Sequence, residues 1–140
     1  MVKATLRFGI NIWMETDRGD LLGRGRMRLL ELIQEKGSLK QAAAALGMSY
    51  RAAWGKIKES EIAWGAPLLE KQGSNRQGFQ LSGKGLELLS VYRTWLEDVR
   101  GYAEKKARES FKDFFDVDPP GEESKSPEKF HHTRKRHPRC

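Results

Sequence analysis

The stretch from Gly37 to Leu81 constrains this chain more than any other. Ser38 and Gln41 form an S-x-x-Q capping box, in which each residue satisfies a backbone donor at a helix start. Leu39, Ala42, Ala43 and Leu46 then follow at i, i+3, i+4 and i+7, a single apolar stripe. Gly47 can take the positive φ that ends a helix. Met48 starts a turn, and Ser49 is a good N-cap for a second helix. The reading is two short helices joined by a tight turn, followed by a small basic hairpin.

The second helix sorts its side chains into two faces. Ala53, Ile57 and Trp64 fall on the side expected to pack inward, and Tyr50, Arg51, Trp54, Gly55 and Lys58 fall on the other. An outer face with Arg, Lys and Tyr, begun by a Ser, suits a DNA major groove. Arginine forks onto guanine edges, while a serine at a helix N-terminus holds phosphate. The alternative is a solvated helix with Trp54 half-buried. Beyond it, Gly65-Ala66-Pro67 is expected to stop the helix, since proline lacks a donor and restrains its predecessor. Leu68–Lys71 and Phe79–Leu81 are strand candidates flanking a Gly-, Ser- and Asn-bearing hairpin tip. Lys71, Ser74, Asn75, Arg76 and Gln77 are donors able to reach phosphate or the minor groove. The tip lacks the Gly-Lys-Ser/Thr ending of a nucleotide-binding P-loop and the G-x-G-x-x-G spacing.

These residues also carry a resemblance. G-S-L-x-x-A-A (Gly37 to Ala43) followed by G-M-S-Y-R-x-A-W (Gly47 to Trp54) resembles the N-terminal DNA-binding domain of ModE-type molybdate-responsive transcription regulators. More distantly the chain is similar to the LysR-type winged helix-turn-helix, with P-L-L-E-K from Pro67 and L-S-x-x-G from Leu81 in the matching places. L-G-x-G-R-x-x-L-L from Leu22 also fits the ModE-like pattern, and the resemblance runs from about Leu6 to Val99. It implies a mainly α fold with a small β wing: a winged helix-turn-helix followed by a long C-terminal dimerisation helix. It further implies a dimeric, sequence-specific, bacterial-type transcription regulator in the cytoplasm, with double-stranded DNA as partner. Tyr50, Arg51 and Trp54 would lie nearest the bases, and Ser49, Lys56 and Lys58 on the backbone. Lys71, Ser74, Asn75 and Arg76 of the wing would grip adjacent phosphates.

On the N-terminal side, Leu6, Phe8, Ile10 and Ile12 alternate with Thr5, Arg7, Gly9 and Asn11, the pattern of a half-buried strand. It can pair with the wing sheet or with a partner chain. Thr16 to Asp20 is turn-rich and can close a hairpin onto Leu21 and Leu22. A helix is expected from Arg26 to Lys36, with Met27, Leu30 and Ile33 on one face, Leu29 and Leu32 widening it, and Gly37 ending it. Arg24, Arg26 and Arg28 read equally as phosphate contacts or as surface charge.

On the C-terminal side, Ser82 is a candidate N-cap for a helix from Lys84 to about Phe115. Leu89, Tyr92, Leu96, Val99 and Ala103 step by three and four along it, a short heptad-like seam, with Leu88, Trp95 and Tyr102 beside them. The seam is assigned to dimerisation, the rival being packing across the helix's own domain. Residues 1–81 are thus read as the DNA-binding domain, 82–115 as the dimerisation helix and 116–140 as a disordered charged tail. That tail holds four of the five prolines and ends in a basic run from Arg134 to Arg139, able to add nonspecific DNA affinity.

Composition supports a binding role. The formal charge is +7 and the pI about 9.7, which favours an acidic polymer as partner. The single Cys140 allows no internal disulfide, and no apolar run approaches the length of a membrane span. No signal-peptide pattern opens the chain. All three histidines lie in the tail, so the folded part has no His base or Cys nucleophile; no enzyme, metal site or cofactor is expected. His131, His132, His137 and Cys140 lack the paired spacing of a structural zinc site. The polar residues after the long helix are too few for the oxyanion-binding barrel of full-length ModE proteins, so molybdate is not expected to bind this chain directly. The rival functions are a winged-helix protein-interaction module, with Tyr50 and Trp54 as hot-spot aromatics, and a nonspecific architectural DNA binder.

Overall fold

The caps decide where the central helices begin and end. In a computed structural model, which describes residues 2–71 and 78–118, helix α1 (Arg24–Lys36) closes on Gly37 at φ 91°, whose N–H donates to the Ile33 carbonyl at 2.9 Å. Helix α2 (Leu39–Ala45) starts after Ser38, whose Oγ accepts from the Gln41 N–H at 3.2 Å. Gly47 takes φ 65° in the turn. Helix α3 (Tyr50–Trp64) starts after Ser49, whose Oγ accepts from the Ala52 N–H at 3.0 Å. It ends at Gly65, with φ 83° and an N–H donating to the Glu61 carbonyl at 2.7 Å. The stop expected from Pro67 is therefore made two residues earlier by a left-handed glycine.

Among the described residues, six short strands accompany the helices: β1 (Thr5–Leu6), β2 (Met14–Thr16), β3 (Gly19–Leu22), β4 (Leu69–Lys71), β5 (Phe79–Leu81) and β6 (Asp116–Val117). Strands β2 and β3 make the expected antiparallel hairpin, pairing Met14 with Leu22 and Thr16 with Gly19 across a bulge. Strands β4 and β5 make the wing, pairing Leu69 with Leu81 and Lys71 with Phe79. The hairpin tip at 72–77 lies outside the described residues. Helix α4 (Gly83–Phe111) follows, capped by Ser82 Oγ, which accepts from the Gly85 N–H at 3.0 Å.

The core lies between α1, α2, α3 and the first half of α4. Leu29, Leu30, Ile33, Leu39, Ala42, Ala43, Ala53, Ile57 and Leu68 are all buried there. Trp64, expected to pack inward, is half-buried against this cluster.

Three expectations need correction. The alternation from Leu6 to Ile12 survives as alternating burial, but only Thr5 and Leu6 form a strand, and its parallel partner is β6. The Asp116 and Asp118 N–H groups donate to the Ala4 and Leu6 carbonyls at 3.0 and 3.1 Å, and the Tyr92 hydroxyl donates to the Ile12 carbonyl at 2.9 Å. A period of two reports a half-buried face and carries no information about which segment pairs with it.

The second correction concerns the α4 seam. Leu89, Tyr92 and Leu96 are 1%, 2% and 6% exposed, buried in the core of their own chain. Val99 and Ala103 continue that stripe half-buried. Heptad-like spacing serves equally to close a domain over its own core, and here α4 does so. The boundary expected after Leu81 is thus no break in the packing. The uncovered side is shifted by one residue: Val91 and Tyr102 are 61% and 64% exposed, and Trp95 lies between them.

The third concerns chain ends. Helix α4 stops at Phe111 instead of about Phe115, and Asp116 and Val117 belong to a strand and not to the tail. Residues 119–140, including the basic end and the histidines, lie outside the described residues.

Candidate nucleic-acid interface

The exposed face of α3 begins with Ser49, Tyr50 and Arg51, all solvent-accessible in its first turn. The Ser49 Oγ is turned to the helix as a cap, so the arginine fork stands beside an N-terminus that itself attracts anions. Trp54, expected nearest the bases, is half-buried between two rings. Its centroid lies 6.3 Å from Tyr50, nearly parallel, and 4.8 Å from Phe79 on β5. The indole thus joins α3 to the wing and backs Tyr50.

Lys58 sits further along the same face. Its ammonium lies 4.3 Å from the Trp54 ring centroid and 2.8 Å from Glu61 Oε1. The other Glu61 oxygen accepts from the Leu68 N–H at 2.7 Å and from the Leu69 N–H at 3.4 Å. Lys56 is half-buried, and Lys71 is exposed at the end of β4. Ser74, Asn75, Arg76 and Gln77 lie outside the described residues.

Arg26 is a correction. Read as a possible phosphate contact, it is 8% exposed and grips the back of α3. Its guanidinium donates to the Lys56 carbonyl at 2.8 Å and to Ser60 Oγ at 2.9 Å, and meets Glu59 Oε2 at 2.6 Å. Asp20 on β3 lies 3.7 Å away. The Ser60 hydroxyl in turn donates to the Leu21 carbonyl at 2.6 Å. Arg28 is paired with Glu31 and Glu35 along α1, at 3.9 and 3.6 Å. At the far end of α3, the Thr16 hydroxyl donates to the Ala63 carbonyl at 2.7 Å. The β2–β3 hairpin and α1 therefore hold the recognition-type helix from behind along its length.

Sequence reasoning missed Thr16, Glu61 and the burial of Arg26, and it did not single out Lys40, exposed on α2. One signal was available for Glu61. A carboxylate in the last turn of a helix opposes the helix dipole and calls for a compensating partner. Arg26, one of three alternating arginines, carries no mark that separates it from Arg24 and Arg28. Among the described residues no group of three or more His, Cys, Asp or Glu side chains can hold a metal ion. Nor is any described helix long and apolar enough to cross a membrane.

Two helices joined by a tight turn, backed by a third and followed by a two-stranded wing, define a winged helix-turn-helix. Residues 25–86 match the model of the bacterial regulatory helix-turn-helix protein, lysR family. The chain is 36% identical over 89 residues to the molybdenum transport protein ModE of Azotobacter vinelandii, covering 62% of this chain and 33% of that one. It is 38% identical over 69 residues to the transcriptional regulator ModE of Haemophilus influenzae, covering 48% and 27%. The alignment thus spans about a third or less of either relative. A chain of the CbnR_DBD–DNA crystal structure is similar with a TM-score of 0.48 and 24% identity, over 61% of this chain and 93% of that one.

Proposed function

We propose that this chain is a sequence-specific, DNA-binding transcription regulator that acts as a dimer. The observation that carries the reading is the first turn of α3. Tyr50 and Arg51 project from a capped, anion-attracting helix start, while Arg26, Leu21 and Thr16 hold the rest of that helix from the opposite side. Placed in the major groove, Arg51 forks onto a guanine edge and Tyr50 contacts the neighbouring base, with Trp54 supporting it. Ser49, Lys56 and Lys71 serve the backbone, with Ser74, Asn75 and Arg76 of the wing on adjacent phosphates. Lys58, engaged by Glu61, is not counted among the phosphate contacts. Binding, not catalysis, is the chemistry asked of these residues, and the net charge of +7 favours it. A cytoplasmic location goes with that role.

The dimer reading moves from the buried seam to the exposed side of α4, where Val91, Trp95 and Tyr102 are uncovered on one face, with Asp98 between the last two. A second copy placed there brings two α3 helices onto half-sites about one DNA turn, roughly 34 Å, apart.

The test is selection of bound duplexes from a randomised pool at about physiological salt. An enriched inverted repeat is the expected result. Binding without enrichment would identify an architectural binder, and no binding would leave the protein-docking module.

A further inference from the structure

Arg51, Trp54, Lys58 and Glu61 fall on one face of α3, at i, i+3, i+7 and i+10. A carboxylate that continues a DNA-facing stripe repels phosphate and lies at the wrong end of the helix dipole. Glu61 nevertheless sits there, its side chain only 12% exposed. Its oxygens explain the position: one bonds the Leu68 and Leu69 N–H groups at the start of the wing, and the other neutralises Lys58.

Leu68 is fully buried, and Glu61 is the partner of its N–H. The chain between α3 and β4 is only Gly65 to Leu68, so this contact sets the direction in which the wing leaves the helix. The loop is closed on its other side by Trp54, whose ring packs tilted against Phe79 of β5. Recognition helix and wing are therefore joined at two points, one aromatic and one carboxylate, with Lys58 spanning between them.

We propose that Glu61 is a positioning residue for DNA recognition: its carboxylate fixes the wing against α3, so that groove and wing contacts register on one site. This rests on the DNA-binding reading above. The wing contacts are pre-organised by the bond to Leu68, and an unclamped wing has to be ordered on each binding event.

Glu61→Gln and Glu61→Met remove the same charge with side chains of similar length. Glutamine keeps a carbonyl oxygen for the Leu68 N–H and methionine does not. The experiment measures affinity of wild type and both variants for the selected duplex and for a random duplex, across a salt series, with folding at the assay temperature checked by circular dichroism. The ratio of specific to random affinity is expected to stay within about threefold of wild type in Glu61→Gln and to fall about tenfold in Glu61→Met. Equal ratios in the two variants overturn the proposal, since the shared charge change would then be the whole effect. Should Glu61→Met fail to fold, Glu61→Asp replaces it, keeping the charge while withdrawing the carboxylate by one methylene; an unchanged ratio there overturns the proposal equally. Wild type that selects no sequence refutes the DNA reading and the proposal with it. Wild type that selects a site while Glu61→Met keeps its ratio refutes the proposal alone.

Discussion

Gly85 offers the sharpest test of how α4 is seated. A Cβ built there would fall well inside contact with the Leu68 carbonyl oxygen and 3.3 Å from its carbon. That backbone has little freedom to retreat. The Leu68 carbonyl accepts from the Ser82 N–H at 2.8 Å, its N–H is held by Glu61, and the Ser82 hydroxyl donates to the Pro67 carbonyl at 2.8 Å. Gly85→Ala must therefore tilt α4 or push β4 outward, an overpacking cost of about 1–3 kcal/mol. The better helix propensity of alanine offsets up to about 1 kcal/mol of that. With that offset complete, the net loss is about 0–2 kcal/mol, a fall in Tm of up to about 10 °C for a domain of this size. Gly101 in the same helix is the control. A Cβ there meets no described atom within 4 Å, so Gly101→Ala should gain about 0.4–1 kcal/mol. Urea unfolding followed by far-ultraviolet circular dichroism gives both midpoints. If Gly85→Ala is as stable as Gly101→Ala, α4 does not abut the Leu68 backbone, and the seating described above is wrong.

Arg51→Ala should weaken binding to the selected duplex by about 1–3 kcal/mol and relax preference at one base pair, read by competition against single-substituted duplexes. Equal loss on every sequence would make Arg51 a phosphate contact only. Arg26→Met should lower unfolding stability by about 1–3 kcal/mol, since the Lys56 carbonyl and Ser60 hydroxyl lose their donor. Arg26→Lys should recover only part of it, because an ammonium cannot reproduce the fork; denaturant midpoints decide. Val91→Glu and Tyr102→Glu alter exposed positions and should change stability by under about 0.5 kcal/mol while weakening self-association at least about tenfold in sedimentation. An unaltered dimer would place the interface elsewhere.

Much of this architecture was legible because caps and stripes are local. Ser38, Ser49 and Ser82 each begin the helix their spacing implies, and Gly37 ends α1 in the left-handed region. Partners were not legible. The α4 stripe showed an apolar face at Leu89, Tyr92 and Leu96, but periodicity is the same whether that face meets its own domain or a second copy. The N-terminal alternation likewise gave a face without its partner, which lies more than a hundred residues away in β6. Of the candidate interface, Tyr50 and Arg51 stand where helical spacing put them, while Trp54 and Lys58 are drawn into contacts with Phe79 and Glu61.

That difference has a physical origin in the demands on α3. A helix that must present its outer face can bury only a narrow stripe, and the buried residues of α3 are Ala53, Ile57, Ser60 and Ala63. Three of these four are small, so apolar burial contributes little to its hold, and burial is in any case non-directional. Orientation has to come from bonds with fixed geometry. They are supplied by residues far away in sequence, Arg26 on α1 and Thr16 and Leu21 on the first hairpin, and by Glu61 across the turn to the wing. Such contacts leave no period in the chain, which is why the face that would read DNA is visible in the sequence and the scaffold that aims it is not.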